Sequence, residues 1–235
     1  MKGINLRLAV LLCMVAALGV EAKDKFKPWT EWSKKDAQKI LDYSPWGQTQ
    51  VLTDNSKIGF TPSTALGDVT NAARLNYRIS LISAKPIRLA FLRLAQLDKL
   101  ATPEQVRQMQ SFVDMKFDDM IVLAVSFDSE QSRVIGAALR SFNSGVTSML
   151  AQTTYLSVNR RPRNYLKEYQ PPAADGLGAK FIFARMVDGK PYLDPKSGSL
   201  QFYAKFPQLA GNDAPVELDW RFNAAEMTYD GIFEY

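Results

Sequence analysis

The densest chemistry in this sequence is a run of cations. Arg160, Arg161 and Arg163 surround Pro162, and Lys167 follows four residues after the last of them. Guanidinium forks match carboxylate and phosphate groups in shape and charge, so an anionic ligand is one reading of the cluster. Tyr165 and Tyr169 are interleaved with it and would add contact area. The other reading is a solvated loop, or a strand edge kept from pairing by its charge. A second group is aromatic. Trp29 and Trp32 lie three apart, and Trp46 comes one short helix later. Exposed together, they would form a platform on which a sugar ring stacks. Buried, they would staple an N-terminal helix to a sheet through the large apolar area of indole, and the size of tryptophan favours this second reading.

Carboxylates offer a third chemistry. Asp118 and Asp119 are adjacent, and Glu217 and Asp219 stand two apart, which on a strand puts both on one side. A glycosidase needs two carboxyl groups about 5–10 Å apart, facing across a cleft. Acidic residues beside strands are more often surface residues, so no catalytic residue is assigned. The chain has no histidine, which removes Ser-His-Asp and Cys-His catalysis and every imidazole metal site. Gly176-Leu177-Gly178 lacks the third glycine and the βα context of a nucleotide loop. Asp194-Pro195-Lys196-Ser197-Gly198 lacks the ligand alternation of a calcium loop. Neither a G-x-S-x-G elbow nor an S-x-x-K motif occurs. No cofactor and no metal is expected.

The elements that must position these residues can be read from periodicity. Ser33 followed by Asp36 is a capping box, so a helix is expected over Ser33 to Tyr43, ended by Ser44-Pro45-Trp46-Gly47. Gln50 to Thr53 reads as a short strand and Asn55 to Val69 as a polar loop. Leu75, Tyr77, Ile79 and Leu81 alternate with polar residues as a half-buried strand does. Two helices follow, from Pro86 to Leu100 and from a Thr102-Pro103 start. Met120 to Phe127 is nearly all apolar and reads as a central strand buried on both faces. A further helix is expected over Glu130 to Phe142. Past residue 150 the helical period disappears, and strands are expected at Thr153–Val158, Lys180–Val187, Ser199–Phe206, Val216–Phe222 and Ile232–Tyr235. Asp188-Gly189 and Asp230-Gly231 are hairpin dipeptides. The expectation is an α+β fold: an N-terminal helix, helices packed on one face of a mostly antiparallel sheet, and a strand-rich C-terminal half.

The start of the chain reads as a signal peptide over residues 1–22. Lys2 and Arg7 precede an apolar stretch from Leu8 to Val20, and Val20-Glu21-Ala22 supplies small residues at −3 and −1. Such a stretch reaches about 20 Å as a helix, short of a hydrocarbon core of about 30 Å. Cys13 does not read as a lipidation site, because Leu12 stands where a small residue is needed. Residues 23–235 then form a single domain without cysteine, and its net charge is one below the +5 of the whole chain. That mild basicity suits an anionic glycan, a lipid headgroup or an envelope protein as partner, and export argues against nucleic acid.

Three blocks carry a resemblance. They are Pro28-Trp29-Thr30-Glu31-Trp32-Ser33 with Ser44-Pro45-Trp46, then Ser83-Ala84-Lys85-Pro86-Ile87-Arg88, then Met227-Thr228-Tyr229-Asp230-Gly231 through Glu234-Tyr235. In these the chain resembles a group of exported bacterial proteins of unestablished function, whose tryptophan-rich N-terminal helix ends in Ser-Pro-Trp. The resemblance implies a secreted single domain and brings no activity or substrate. The expectation is a non-enzymatic binding or envelope-associated protein, periplasmic or extracellular, with Arg160, Arg161, Arg163, Lys167, Trp29, Trp32 and Trp46 as candidate ligand-binding residues. The alternatives are a carboxylate-based hydrolase acting on a glycan or cell-wall substrate, and an assembly subunit that pairs through a free sheet edge.

Overall fold

The computed structural model describes residues 27–54, 73–130, 132–206 and 216–235. The signal-peptide segment and the loop expected over 55–69 lie outside the described residues.

A 3-10 turn at Trp29–Glu31 leads into helix α1, Lys34–Asp42. The capping box forms as expected. Ser33 Oγ accepts from the Asp36 amide at 3.2 Å, and the Asp36 carboxylate accepts from the Ser33 amide at 3.0 Å. The carboxylate also accepts from the Ser33 hydroxyl at 2.8 Å, and the backbone bond first, then this one, hold the Asp36 carboxyl below its usual range. At the far end the Ser44 hydroxyl donates to the Ile40 carbonyl at 2.6 Å and accepts from the amides of Trp46 and Gly47. The chain therefore reverses directly into strand β1, Gly47–Asp54. A Cβ on Gly47 would stand 2.4 Å from the Leu41 carbonyl oxygen, so the helix closes onto the strand only because this residue has no side chain.

Strand β2 (Ala73–Leu81) is followed by helices α2 (Lys85–Leu97) and α3 (Pro103–Val113), then strand β3 (Met120–Asp128) and helices α4 (Ser132–Ser144) and α5 (Thr147–Leu150). The rest is strand: β4 Tyr155–Val158, β5 Asn164–Tyr165, β6 Glu168–Gln170, β7 Ala179–Ala184, β8 Met186–Val187, β9 Lys190–Pro191, β10 Ser199–Lys205, β11 Glu217–Asn223, β12 Thr228–Tyr229 and β13 Ile232–Phe233. The fold is α+β with mostly antiparallel sheets and a strand-rich C-terminal half.

The strands divide between two main sheets. The first is five-stranded in the order β1-β2-β3-β7-β6, and the second is four-stranded in the order β11-β10-β4-β5. Every pairing in both is antiparallel. Strand β3 sits at the centre of the first sheet, and its run from Ile121 to Val125 is wholly buried, as an unbroken apolar stretch requires. The two remaining hairpins, β8–β9 and β12–β13, turn at Asp188-Gly189 and Asp230-Gly231, with φ positive at all four residues.

An aromatic layer joins the sheets. Phe181 and Phe183 of the first sheet meet Phe202 of the second at 5.2 and 6.2 Å between centroids. Phe142 of α4 packs on Phe127 at 5.1 Å and on Phe206 at 4.6 Å. Helix α4 and the second sheet thus share one face of the first. In β10 the residues at even positions, Leu200, Phe202 and Ala204, point into this layer, and those at odd positions point out.

The three blocks of the resemblance meet at one place. Trp32 and Trp46 both set an edge against Tyr229, at 6.2 and 6.3 Å. The Trp46 indole donates to the Glu234 carbonyl at 2.8 Å, and the Glu234 carboxylate accepts from the Lys85 amide at 3.0 Å, at the start of α2. Nearby, Arg88 is only 5% exposed. It donates to the carbonyls of Ile82, Ser83, Val113 and Met115 and lies 4.8 Å from the Phe117 ring, tying the start of α2 to the end of α3.

Candidate functional site

The second sheet has one dry face and one wet face, and the wet face carries an aromatic strip. Strand pairing sets Tyr155 directly opposite Tyr203 on one side and Tyr165 on the other. The Tyr155 and Tyr203 rings stack at 5.1 Å with 23° between planes, and Tyr165 presents an edge to Tyr155 at 6.0 Å. The Arg163 guanidinium lies 4.2 Å from the centroid of Tyr155. Tyr165 is 49% exposed, and Tyr155 and Tyr203 are half-buried.

Alternation along three short strands produces this arrangement. Leu156, Val158, Phe202 and Ala204 enter the core, which forces Tyr155, Ser157, Gln201 and Tyr203 outward. The far end of the strip is acidic. The Tyr203 hydroxyl donates to Glu217 at 3.0 Å, and Gln201 donates to Asp219 at 2.7 Å. Burial first, and then the bond and charge of Glu217, push the Tyr203 hydroxyl above its usual pKa. Glu217 and Asp219 do share one side of their strand, as their spacing implies. They face solvent from a sheet rather than each other across a cleft.

The cation cluster separates. Arg161 turns to the end of β9 and the segment after it, donating to the carbonyls of Pro191 and Tyr192 and pairing with Asp194. Its guanidinium closes a loop and is spent there. Arg160 is exposed and takes the left-handed backbone of the turn, with φ 63°. Lys167 is exposed between β5 and β6, where its amide bonds to Ile182 of the first sheet. Only Arg163 reaches the strip. Tyr169, expected to add contact area, is buried instead and donates its hydroxyl to the Phe142 carbonyl at 2.6 Å.

The stacking platform of Trp29, Trp32 and Trp46 is corrected by burial. Trp32 and Trp46 are 2% and 0% exposed, and Trp29 is half-buried against the core. Indole this deeply packed offers no face to a sugar. The strip's other two tyrosines, Tyr155 and Tyr203, leave one signal in the sequence: each is the polar-side member of an alternating strand, beside Ser157 and Gln201. Their meeting depends on pairing between segments about fifty residues apart, which alternation does not encode.

Among the described residues no group of acidic residues is arranged to hold a metal ion, and no helix is long and apolar enough to cross a membrane. No family model, curated protein or solved structure matches the chain.

Proposed function

We propose that this is an exported, envelope-associated binding protein whose ligand is an anionic glycan lying along the tyrosine strip. The observation that carries the reading is Arg163 seated on Tyr155 within a row of three outward tyrosines. Sugar C–H groups pack on exposed aromatic surface, of which Tyr165 offers the most, and arginine supplies a donor fork for a carboxylate or sulfate substituent. Arg163 has no hydrogen-bond acceptor among the described residues, so its donors are free for such a group. A row of rings on an open sheet face suits a chain-like ligand better than a small compact one. Export, and kinship with the exported proteins that the three blocks resemble, belong to the same reading.

Affinity electrophoresis through gels containing a uronic-acid polysaccharide or a neutral one tests it. The expected result is retardation by the acidic gel alone, weakened by salt. Arg163→Ala and Tyr155→Ala are expected to cut retention about tenfold while leaving the melting temperature within a few degrees. Equal mobility in both gels would overturn the reading.

A further inference from the structure

A second feature lies on the other side of β11. Where α1 ends and β1 begins, Tyr43, Gln48 and Thr49 face Trp220, Asn223 and Glu226 across a cleft of about 340 Å³. Alternation along β11 turns Trp220 away from the face that carries Asp219 and Arg221, so the indole wall of this cleft is not part of the strip.

The chemistry of the cleft is read from the hydrogen-bonding capacity left over in its walls. The Trp220 indole N–H is satisfied by Gln48 Oε1, which pins the ring as an apolar wall, and the Gln48 amide donors have no acceptor among the described residues. Asn223 Oδ1 caps the Ala225 amide at 3.2 Å, and its amide donors likewise have no acceptor among the described residues. Acceptors are equally present. Glu226 has no partner among the described residues, and Thr49 donates its proton to Asp42 at 3.1 Å, keeping its lone pairs available. Tyr43, 72% exposed, offers a second aromatic wall with a hydroxyl that is both donor and acceptor. Asp42, also in the lining, is paired with Arg78 at 2.6 Å and accepts from the Gln38 amide at 2.9 Å.

This mixture discriminates between ligand classes. An anion meets the free Glu226 carboxylate. A cationic ammonium group, primary or quaternary, has no acceptor and would leave the two amides unanswered. An apolar molecule would strip water from Glu226 without replacing it. A sugar hydroxyl both donates and accepts, and the C–H face of the ring packs on indole and phenol. We propose that this cleft binds one neutral sugar unit. It does not depend on the tyrosine strip or on an anionic ligand there.

The test follows the indole N–H signals of the four tryptophans in ¹H–¹⁵N spectra of the purified protein, with Trp220 assigned by Trp220→Phe. The methyl glycosides of glucose, galactose, mannose and N-acetylglucosamine are titrated in turn, and choline and acetate serve as charged controls. At least one glycoside is expected to move the Trp220 signal saturably, with a Kd in the range of about 1 mM. The shift should be insensitive to salt and unchanged by Tyr155→Ala. Tyr43→Ala and Glu226→Gln, both at solvent-facing positions, should each weaken binding about tenfold. A Trp220 signal that responds to choline or acetate in preference to the glycosides, or to none of the six, overturns the proposal.

Discussion

Two aromatic clusters in this molecule are built from similar residues and serve opposite ends. In the knot formed by Trp32, Trp46 and Tyr229, the rings are sealed and each indole N–H has a carbonyl partner, Lys27 for Trp32 and Glu234 for Trp46, both at 2.8 Å. In the strip formed by Tyr165, Tyr155 and Tyr203, the rings are exposed or half-buried, and among the described residues only Tyr203 bonds through its hydroxyl to another side chain. Both clusters hold edge-to-face contacts near 6 Å, so ring geometry does not tell them apart. What separates them is where the polar end goes. An aromatic residue whose polar atom is paid off by distant backbone belongs to the fold, and one whose polar atom faces water remains open to a ligand.

The contrast can be broken most forcefully at Trp46. Trp46→Ala should cost about 3–5 kcal/mol in chemical denaturation, because it opens a cavity and orphans the Glu234 carbonyl. A loss below about 1 kcal/mol would mean that the knot is not the anchor described here. The same cluster is probed more gently by Glu234→Ala. Removing the carboxylate from the start of α2 should cost about 1 kcal/mol, read as a lower denaturation midpoint with an unchanged slope.

On the strip, Tyr155→Ala should change stability by less than about 1 kcal/mol while abolishing most of the retention by acidic polysaccharide. If stability fell as far as in Trp46→Ala, the two clusters would not differ in kind. The smallest effect is a titration. Burial raises the pKa of Tyr77 and Tyr169 above the usual 10.0, and burial with Glu217 raises that of Tyr203. The folded protein therefore holds these protons more tightly than the unfolded chain does. The associated stability is complete below pH 10 and drains away as the pH rises beyond it. Glu217→Gln should bring Tyr203 back toward its usual range in an alkaline absorbance titration and leave Tyr77 and Tyr169 where they are.

Much of the scaffold was legible because its signals are local. The Ser33–Asp36 capping box, the uninterrupted apolar run of β3 and the two Asp-Gly hairpins each depend on a few neighbouring residues. The sites were less legible. Arg161 and Arg163 are two apart in the chain, yet one closes a loop on Asp194 and the other lies over Tyr155. Their different roles depend on β4 and β5 lying beside β10. The cleft is harder still, since residues 43–49 and 220–226 are joined by the Gln48–Trp220 bond across most of the chain. Trp32 and Trp46 were ambiguous for a related reason: burial depends on Tyr229, near the other end of the sequence.

The missing side chain at Gly47 bears on how kin of this protein should be sought. With the Leu41 oxygen 2.4 Å from where a Cβ would sit, alanine is already too large there. Any lineage that keeps the helix folded onto the first strand is expected to keep glycine at this position, however far its surface drifts. A search pattern anchored on Ser44-Pro45-Trp46-Gly47, with a tyrosine and a glutamate set late in the chain to match Tyr229 and Glu234, should reach more distant relatives than one anchored on the arginines. The arginines and outward tyrosines would then record which ligand each lineage came to hold.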